Sequence, residues 1–342
     1  MNAYLSHDRT VEQMKQMTPL FHFDGSKDLA KWQAEAREKL KELLCLPLEG
    51  VPAEFDDQFV ITSDTVKEEF REICFEFQSE PGYTVPTHLL IPLGAEKPLP
   101  GMICLQGHSS GKHISLGEGM FEDETPEFLE SRCFAVQAVR NGFCAIVFDQ
   151  RYMGNAGRLP DGRPTCLRNW TALSAMMLGR TAVGERVHDI SRAIDMVEKY
   201  FTAYVDTDKM MCLGTSGGGT ATFYASCLED RIKLAVVSAA LCTFEASIMD
   251  MFHCACNYIP GMRKYFNMGD LGCMIAPKKL VVTSGDVDNI FPLHGAVESF
   301  EIIKTAYEKA GLPENCRMLV GHGGHAFFPD LAWPAVRELL DK

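Results

Sequence analysis

Few residues in this chain are placed to do chemistry, and they fall in four short stretches. The first is "MMCLGTSGGGTATFYAS", residues 210–226, where Ser216 stands among glycines between an apolar run and a helix-compatible segment. "GTSGG" fits G-x-S-x-G, the pattern that turns a strand sharply into a helix and lifts a serine hydroxyl above a sheet. A serine becomes a nucleophile only when a base takes its proton, and that base needs an acid to orient it. Downstream, "VVTSGDVDNIFPL" ends a strand-like run with Asp286 and Asp288, and "MLVGHGGHAFF" ends another with His322 and His325. The chain order Ser, Asp, His is the order such a strand–turn–helix site uses. All these groups lie just past strand ends, where ligand-facing residues of an open α/β sheet belong. From the residues alone, one acid and one histidine of each pair are structural, and either choice stands.

The fourth stretch is "ICLQGHSSGKH". It follows an earlier strand and would supply a second backbone N–H for an oxyanion, expected at His108, beside the N–H of Gly217 at the helix start. His108 and His113 lack a carboxylate within their own loop. "FHCACNY" sets His253, Cys254 and Cys256 close together without a second pair of cysteines at zinc spacing. Neither cluster is read as a metal site; the second reads as a pocket wall. No metal and no cofactor are expected. Asp149 and Arg151, after the strand "FCAIVFDQ", read as a buried ion pair or a turn.

These stretches need elements to hold them. The runs "GMICLQG", "FCAIVFDQ", "MMCLGTS", "LAVVSAAL" and "KLVVTSGD" read as buried strands. Between them Val187, Ile190, Ile194, Val197 and Phe201, and later Leu293, Val297, Phe300, Ile303 and Tyr307, keep helical spacing. Buried strands alternating with helices predict an α/β fold, a mostly parallel central sheet covered on both faces. Ahead of it, "EEFREICFEFQ" and "TVPTHLLIPL" flank a turn and predict an antiparallel edge hairpin. Residues 1–55 predict an N-terminal helical extension, with Leu29, Trp32, Ala36, Leu40 and Leu43 on one stripe; it would pack against the core or against a second subunit. Residues 56–342 form the catalytic domain, with loop or lid insertions near 152–180 and 243–276 that would shape the pocket.

Bulk properties narrow the class. The chain has 342 residues with 46% hydrophobic content, enough for a sizeable core. A net charge of −13 argues against a nucleic-acid partner, which needs a basic footprint. Thirteen cysteines with apolar neighbours read as buried thiols and point to a reducing, cytoplasmic setting. The first residues, "MNAYLSHDRTVEQMKQM", hold no apolar core of a signal peptide, and no stretch is apolar for long enough to suggest a membrane partner.

The chain resembles the α/β-hydrolase superfamily, and within it the dienelactone-hydrolase-like and acetyl-xylan-esterase-like bacterial esterases. The resemblance runs from about residue 59 to 342 and rests on "LQGHSSGK", "LGRTAVGERVHDISRAIDMV", "GTSGGGTAT", "CNYIPGMRKYFNMGDLGCMIAPKKLVV", "SGDVDNIFP" and "GHGGHAFF". It implies the α/β-hydrolase fold, and it implies that the loop holding Asp149 and Arg151 borders the active-site entrance. It also implies a choice within each pair: Asp288 from the G-x-x-D pattern after Gly285, and His325 from the paired glycines before it. Dienelactone hydrolases proper carry a cysteine nucleophile. The serine here points to esters, and Thr215 replaces a histidine common in related esterases.

The expectation is a serine esterase acting through Ser216, His325 and Asp288 and an acyl-enzyme. Its substrate would be a small-molecule or oligosaccharide ester with a short acyl group such as acetyl. Cleavage of a peptide or a lactone at the same triad is the alternative, and a non-catalytic binding protein on a hydrolase scaffold a remote one. A homo-oligomer is compatible with the sequence.

Overall fold

The computed structural model describes residues 6–108, 111–157 and 170–341. Its strands are β1 (Val60–Val66), β2 (Phe70–Glu80), β3 (Tyr83–Pro92), β4 (Leu99–Leu105), β5 (Cys144–Phe148), β6 (Val205–Thr215), β7 (Ile232–Ser238), β8 (Lys279–Gly285) and β9 (Cys316–Gly321). They form one sheet in the order β1-β2-β3-β5-β4-β6-β7-β8-β9. The first three strands are antiparallel, β3 pairs antiparallel with β5, and every pairing from β5 to β9 is parallel.

The predicted hairpin is therefore present as β2 and β3, but it is not the edge. β1, "VITSDTV", covers it and is solvent-exposed along its whole length. A strand with neither face buried carries no alternation to read.

The helices are α1 (Ser6–Lys15), α2 (Leu29–Leu44), α3 (Pro126–Arg132), α4 (Phe134–Arg140), α5 (Trp170–Met177) and α6 (Ala182–Tyr200). They continue with α7 (Gly217–Leu228), α8 (Met262–Tyr265), α9 (Met268–Cys273), α10 (Leu293–Lys309) and α11 (Pro329–Leu340). Successive strand residues split between two cores. Ile103 and Leu105 of β4 face Ile190 and Ile194 of α6, Phe223 of α7 and Ile303 of α10. Met102 and Cys104 face Phe134 of α4 and Trp333 and Val336 of α11. Burial on both faces explains why these strands read as continuous apolar runs. On α10 the inward stripe is Ala296, Phe300, Ile303 and Tyr307, while Val297 is exposed. Helical spacing tolerates either Val297 or its neighbour, and the smaller Ala296 fits against the core. On α2, Leu44 is buried where Leu43 was expected.

The N-terminal helical region packs on its own chain. Trp32, Ala36 and Leu40 enter the α6–α7 core. Gln33 donates to the carbonyls of Cys273 and Ala276 at 2.9 and 2.7 Å, and His22 Nδ1 meets Asp270 at 2.9 Å. Residues 20–33 thus brace α8 and α9, with the N–H groups of Leu20 and Phe21 donating to the carbonyls of Lys264 and Tyr265.

Asp149 and Arg151 are both buried, and each takes its partners elsewhere in the chain rather than pairing with the other. Arg151 makes a bidentate pair with Asp189 of α6 at 2.8 and 2.9 Å and also reaches Glu80. Asp149 accepts from the backbone N–H groups of Lys112 and Asn155. Removing one partner of such a pair strands a buried charge. Asp189→Ala is expected to cost about 3–5 kcal/mol in urea unfolding, whereas Glu301→Ala, which removes an exposed pair with Lys304 on α10, should cost under about 1 kcal/mol.

Candidate active site

Register brings the four stretches to one end of the sheet. Leu105 at the end of β4 pairs with Gly214 near the end of β6, so the loops carrying His108 and Ser216 leave side by side. Gly285 of β8 pairs with Gly321 of β9, so those carrying Asp288 and His325 do the same. β4 is followed by β5 on one side and β6 on the other, which makes this end a topological switch point.

Ser216 has φ 55° and ψ −122°, a conformation that L-residues avoid and that survives only where its surroundings over-determine it. Here they do. The Ser216 N–H donates to the Ser238 carbonyl at 2.9 Å, and its own carbonyl accepts from Thr220 N–H at 2.8 Å. A side chain at Gly218 would stand 2.3 Å from the Leu105 carbonyl oxygen, so the turn needs glycine there. The strained serine, on the turn into α7, matches the sequence expectation.

The two Asp–His pairs separate cleanly. Asp288 is buried; its Oδ1 accepts from the N–H groups of Ile290 and Phe291 at 2.8 and 3.0 Å, and its Oδ2 meets His325 Nδ1 at 2.9 Å. Burial works against its charge, but the His325 hydrogen bond and the backbone donors outweigh it and hold the carboxyl below its ordinary range. His325 faces a cavity of about 280 Å3 that Ser216 also lines, and Phe291 stacks on its ring at 5.9 Å. Asp286 binds His322 at 2.9 Å and the Gly323 N–H at 2.9 Å, but the His322 side chain is fully exposed and outside that cavity.

Gly217 and the Gln106–His108 loop also line the cavity. Gln106 pins its loop by donating to Ser115 Oγ and to the Arg132 carbonyl at 2.7 and 2.8 Å. The loop passes so close to the Ser216 turn that a Cβ on Gly107 would lie 3.0 Å from Ser216 Cβ. The N–H of Gly217 opens a 12-residue helix, where it has no intrahelical acceptor. His113 lies apart from this cavity and is held at 3.0 Å by Glu124, an acid outside its own loop.

Arg132 is a cavity residue without a sequence signal, whereas His253 and Cys254 line the cavity as the pocket-wall reading expected. Arg132 lines it, lies over the Phe128 ring at 4.5 Å, and makes no ion pair among the described residues. Burial lowers its guanidinium pKa from the ordinary value. The segment 243–276 supplies Phe252, His253, Cys254 and Asn257 to the wall. Burial, with the nearby His108 and His325, pushes His253 down to about 4, so it is neutral at pH 7. Cys256 lies behind that wall, and His108 Nε2 reaches its sulfur at 3.0 Å. The two residues are 148 apart in the chain, beyond any local pattern. Of the segment 152–180, residues 158–169 lie outside the described residues, and 170–177 form helix α5, with Trp170 and Met177 exposed.

A mostly parallel sheet flanked by helices, with a glycine-bounded elbow after a central strand, defines an α/β-hydrolase. The sequence pattern of the Abhydrolase family matches residues 2–325, and the chain belongs to that family. YtaP of Bacillus subtilis (strain 168), named as a hydrolase, is 22% identical over 257 residues, 74% of this chain and 82% of its own. A Bacteroides fragilis NCTC 9343 protein designated an acetyl xylan esterase superposes with TM-score 0.81 at 18% identity, covering 98% of this chain and 95% of its own. A glucuronoyl esterase from Solibacter usitatus gives TM-score 0.68 at 13% identity, covering 95% and 96%. At those identities the two structures share the fold. Among the described residues no helix is long and apolar enough to cross a membrane.

Proposed function

We propose that the chain is a serine esterase that cleaves short acyl esters, including esters on carbohydrate, through an acyl-enzyme. The observation that carries this reading is the buried Asp288 held on His325 at the mouth of the cavity that the strained Ser216 lines. Ser216 Oγ attacks the ester carbonyl, and His325 Nε2 takes its proton. Asp288 fixes the imidazole with its proton on Nδ1 and stabilises the imidazolium. The N–H groups of Gly217 and His108 receive the oxyanion; losing one such donor costs about 10²–10³ in rate. His325 then protonates the departing alcohol, and water, activated by the same imidazole, releases the acid.

The cavity of about 280 Å3 suits a small acyl group. The similarity to proteins named for acetyl xylan and glucuronoyl esters supports a carbohydrate ester. Arg132 adds a cation in want of an anion, so esters bearing a carboxylate near the scissile bond should be preferred. The test is a panel of acetyl, longer acyl, carboxylate-bearing, lactone and peptide substrates. Short esters are expected to turn over fastest; peptides or lactones outrunning every ester would overturn the reading. Arg132→Gln should cut the preference for carboxylate-bearing over neutral esters by about tenfold, the worth of one charge-assisted hydrogen bond.

A further inference from the structure

At the cavity wall the fold gathers two thiols and an imidazole whose side chains the hydrolytic reading does not use, since it takes only the backbone N–H of His108. His108, from the loop after β4, meets Cys254 and Cys256, from the 243–276 segment, so that one ligand atom of each lies within 4.8 Å of the others. Both cysteines are buried, and His108 and Cys254 also line the catalytic cavity. Tetrahedral zinc with bonds of about 2.3 Å to sulfur and about 2.0–2.1 Å to nitrogen needs donors roughly 3.5–3.8 Å apart. The His108 Nε2 to Cys256 Sγ distance of 3.0 Å is close enough for a small rotation of either side chain to admit the ion.

We infer that His108, Cys254 and Cys256 form a three-donor site for a soft divalent ion such as zinc, with its fourth position open toward the catalytic cavity. Two thiolates and one imidazole leave a position for water or a substrate oxygen, as in open zinc sites built on two cysteines and a histidine. Two thiolates also balance the charge of the ion, and softness selects zinc or cobalt over magnesium or calcium. The site holds whether or not Ser216 is the nucleophile. A second gathering, Glu72, Cys74 and His88 on β2 and β3, is a poorer candidate, because Glu72 is already paired with Lys67 at 2.9 Å and with His88 at 2.9 Å.

The experiment is a cobalt(II) titration of the full chain after chelator treatment, followed by absorbance. One equivalent should bring up a thiolate-to-cobalt charge-transfer band and the intense visible bands of a four-coordinate ion. Zinc should bleach both. Cys256→Ser should abolish the charge-transfer band, and Cys74→Ser should leave it, with circular dichroism of each variant matching wild type. No charge-transfer band in the wild type, or a band that survives Cys256→Ser, would overturn the assignment. A band lost in Cys74→Ser and kept in Cys256→Ser would place the ion on the other cluster and overturn it equally.

Discussion

Ser216→Ala is expected to lower kcat by about 10⁵–10⁶ and to leave the fold intact. The side chain is only part-buried and makes no hydrogen bond among those the structure gives, so the change removes little besides the hydroxyl. The elbow is held by backbone contacts to Ser238 and Thr220 that alanine keeps. Unfolding free energy should therefore stay within about 0.5 kcal/mol of wild type. What remains of the rate, about 10³–10⁴ above water, would come from the oxyanion donors and from binding. Steady-state kinetics on a short acyl ester checks the first part, and urea unfolding the second. A variant as inactive as expected but also unfolded would mean the hydroxyl had a structural role.

The second large effect separates the two aspartates. Asp288→Asn should lower kcat by about 10⁴ with KM little changed, because an amide in place of the carboxylate favours the wrong imidazole tautomer. Asp286→Asn and His322→Ala should stay near wild type. Their pair stands on the surface, where solvent screens it. The sign of the pH effect follows from the lowered Asp288 pKa. A carboxylate held below its unfolded value adds stability that is complete above the unfolded pKa of about 3.9 and is lost as pH falls through the folded value. Asp288→Asn should therefore lower stability near neutrality and flatten the acid end of the profile below about pH 4, so that the gap from wild type narrows as pH falls. Equal losses from Asp286→Asn and Asp288→Asn would contradict the assignment.

The parts of this site that are local were legible in the sequence. A serine turn between strand and helix writes its needs into five consecutive residues, because Gly214 and Gly218 must let backbones approach. The acid and the histidine were legible as pairs. What separates Asp288 from Asp286 is burial: one carboxylate is buried and the other faces solvent, and two residues of spacing do not encode that. The resemblance to known esterases did select the pair that faces the cavity. The Arg132 lining, the His108–Cys256 contact and the exposed β1 were not legible. Each depends on residues far apart in the chain or on an element with no buried face to impose a period. Val297 and Ala296 show the limit of helical spacing: the stripe on α10 fixes the face to within one position, and volume decides the rest.

The central claim is that Ser216 is an activated nucleophile. Its most direct test is intact-mass spectrometry after treatment with a fluorophosphonate probe, on the wild type and on Ser216→Ala. One adduct on the wild type, mapped to the peptide containing Ser216, and none on the variant is the predicted result. An unlabelled wild type, or an adduct that persists in the variant, would contradict it.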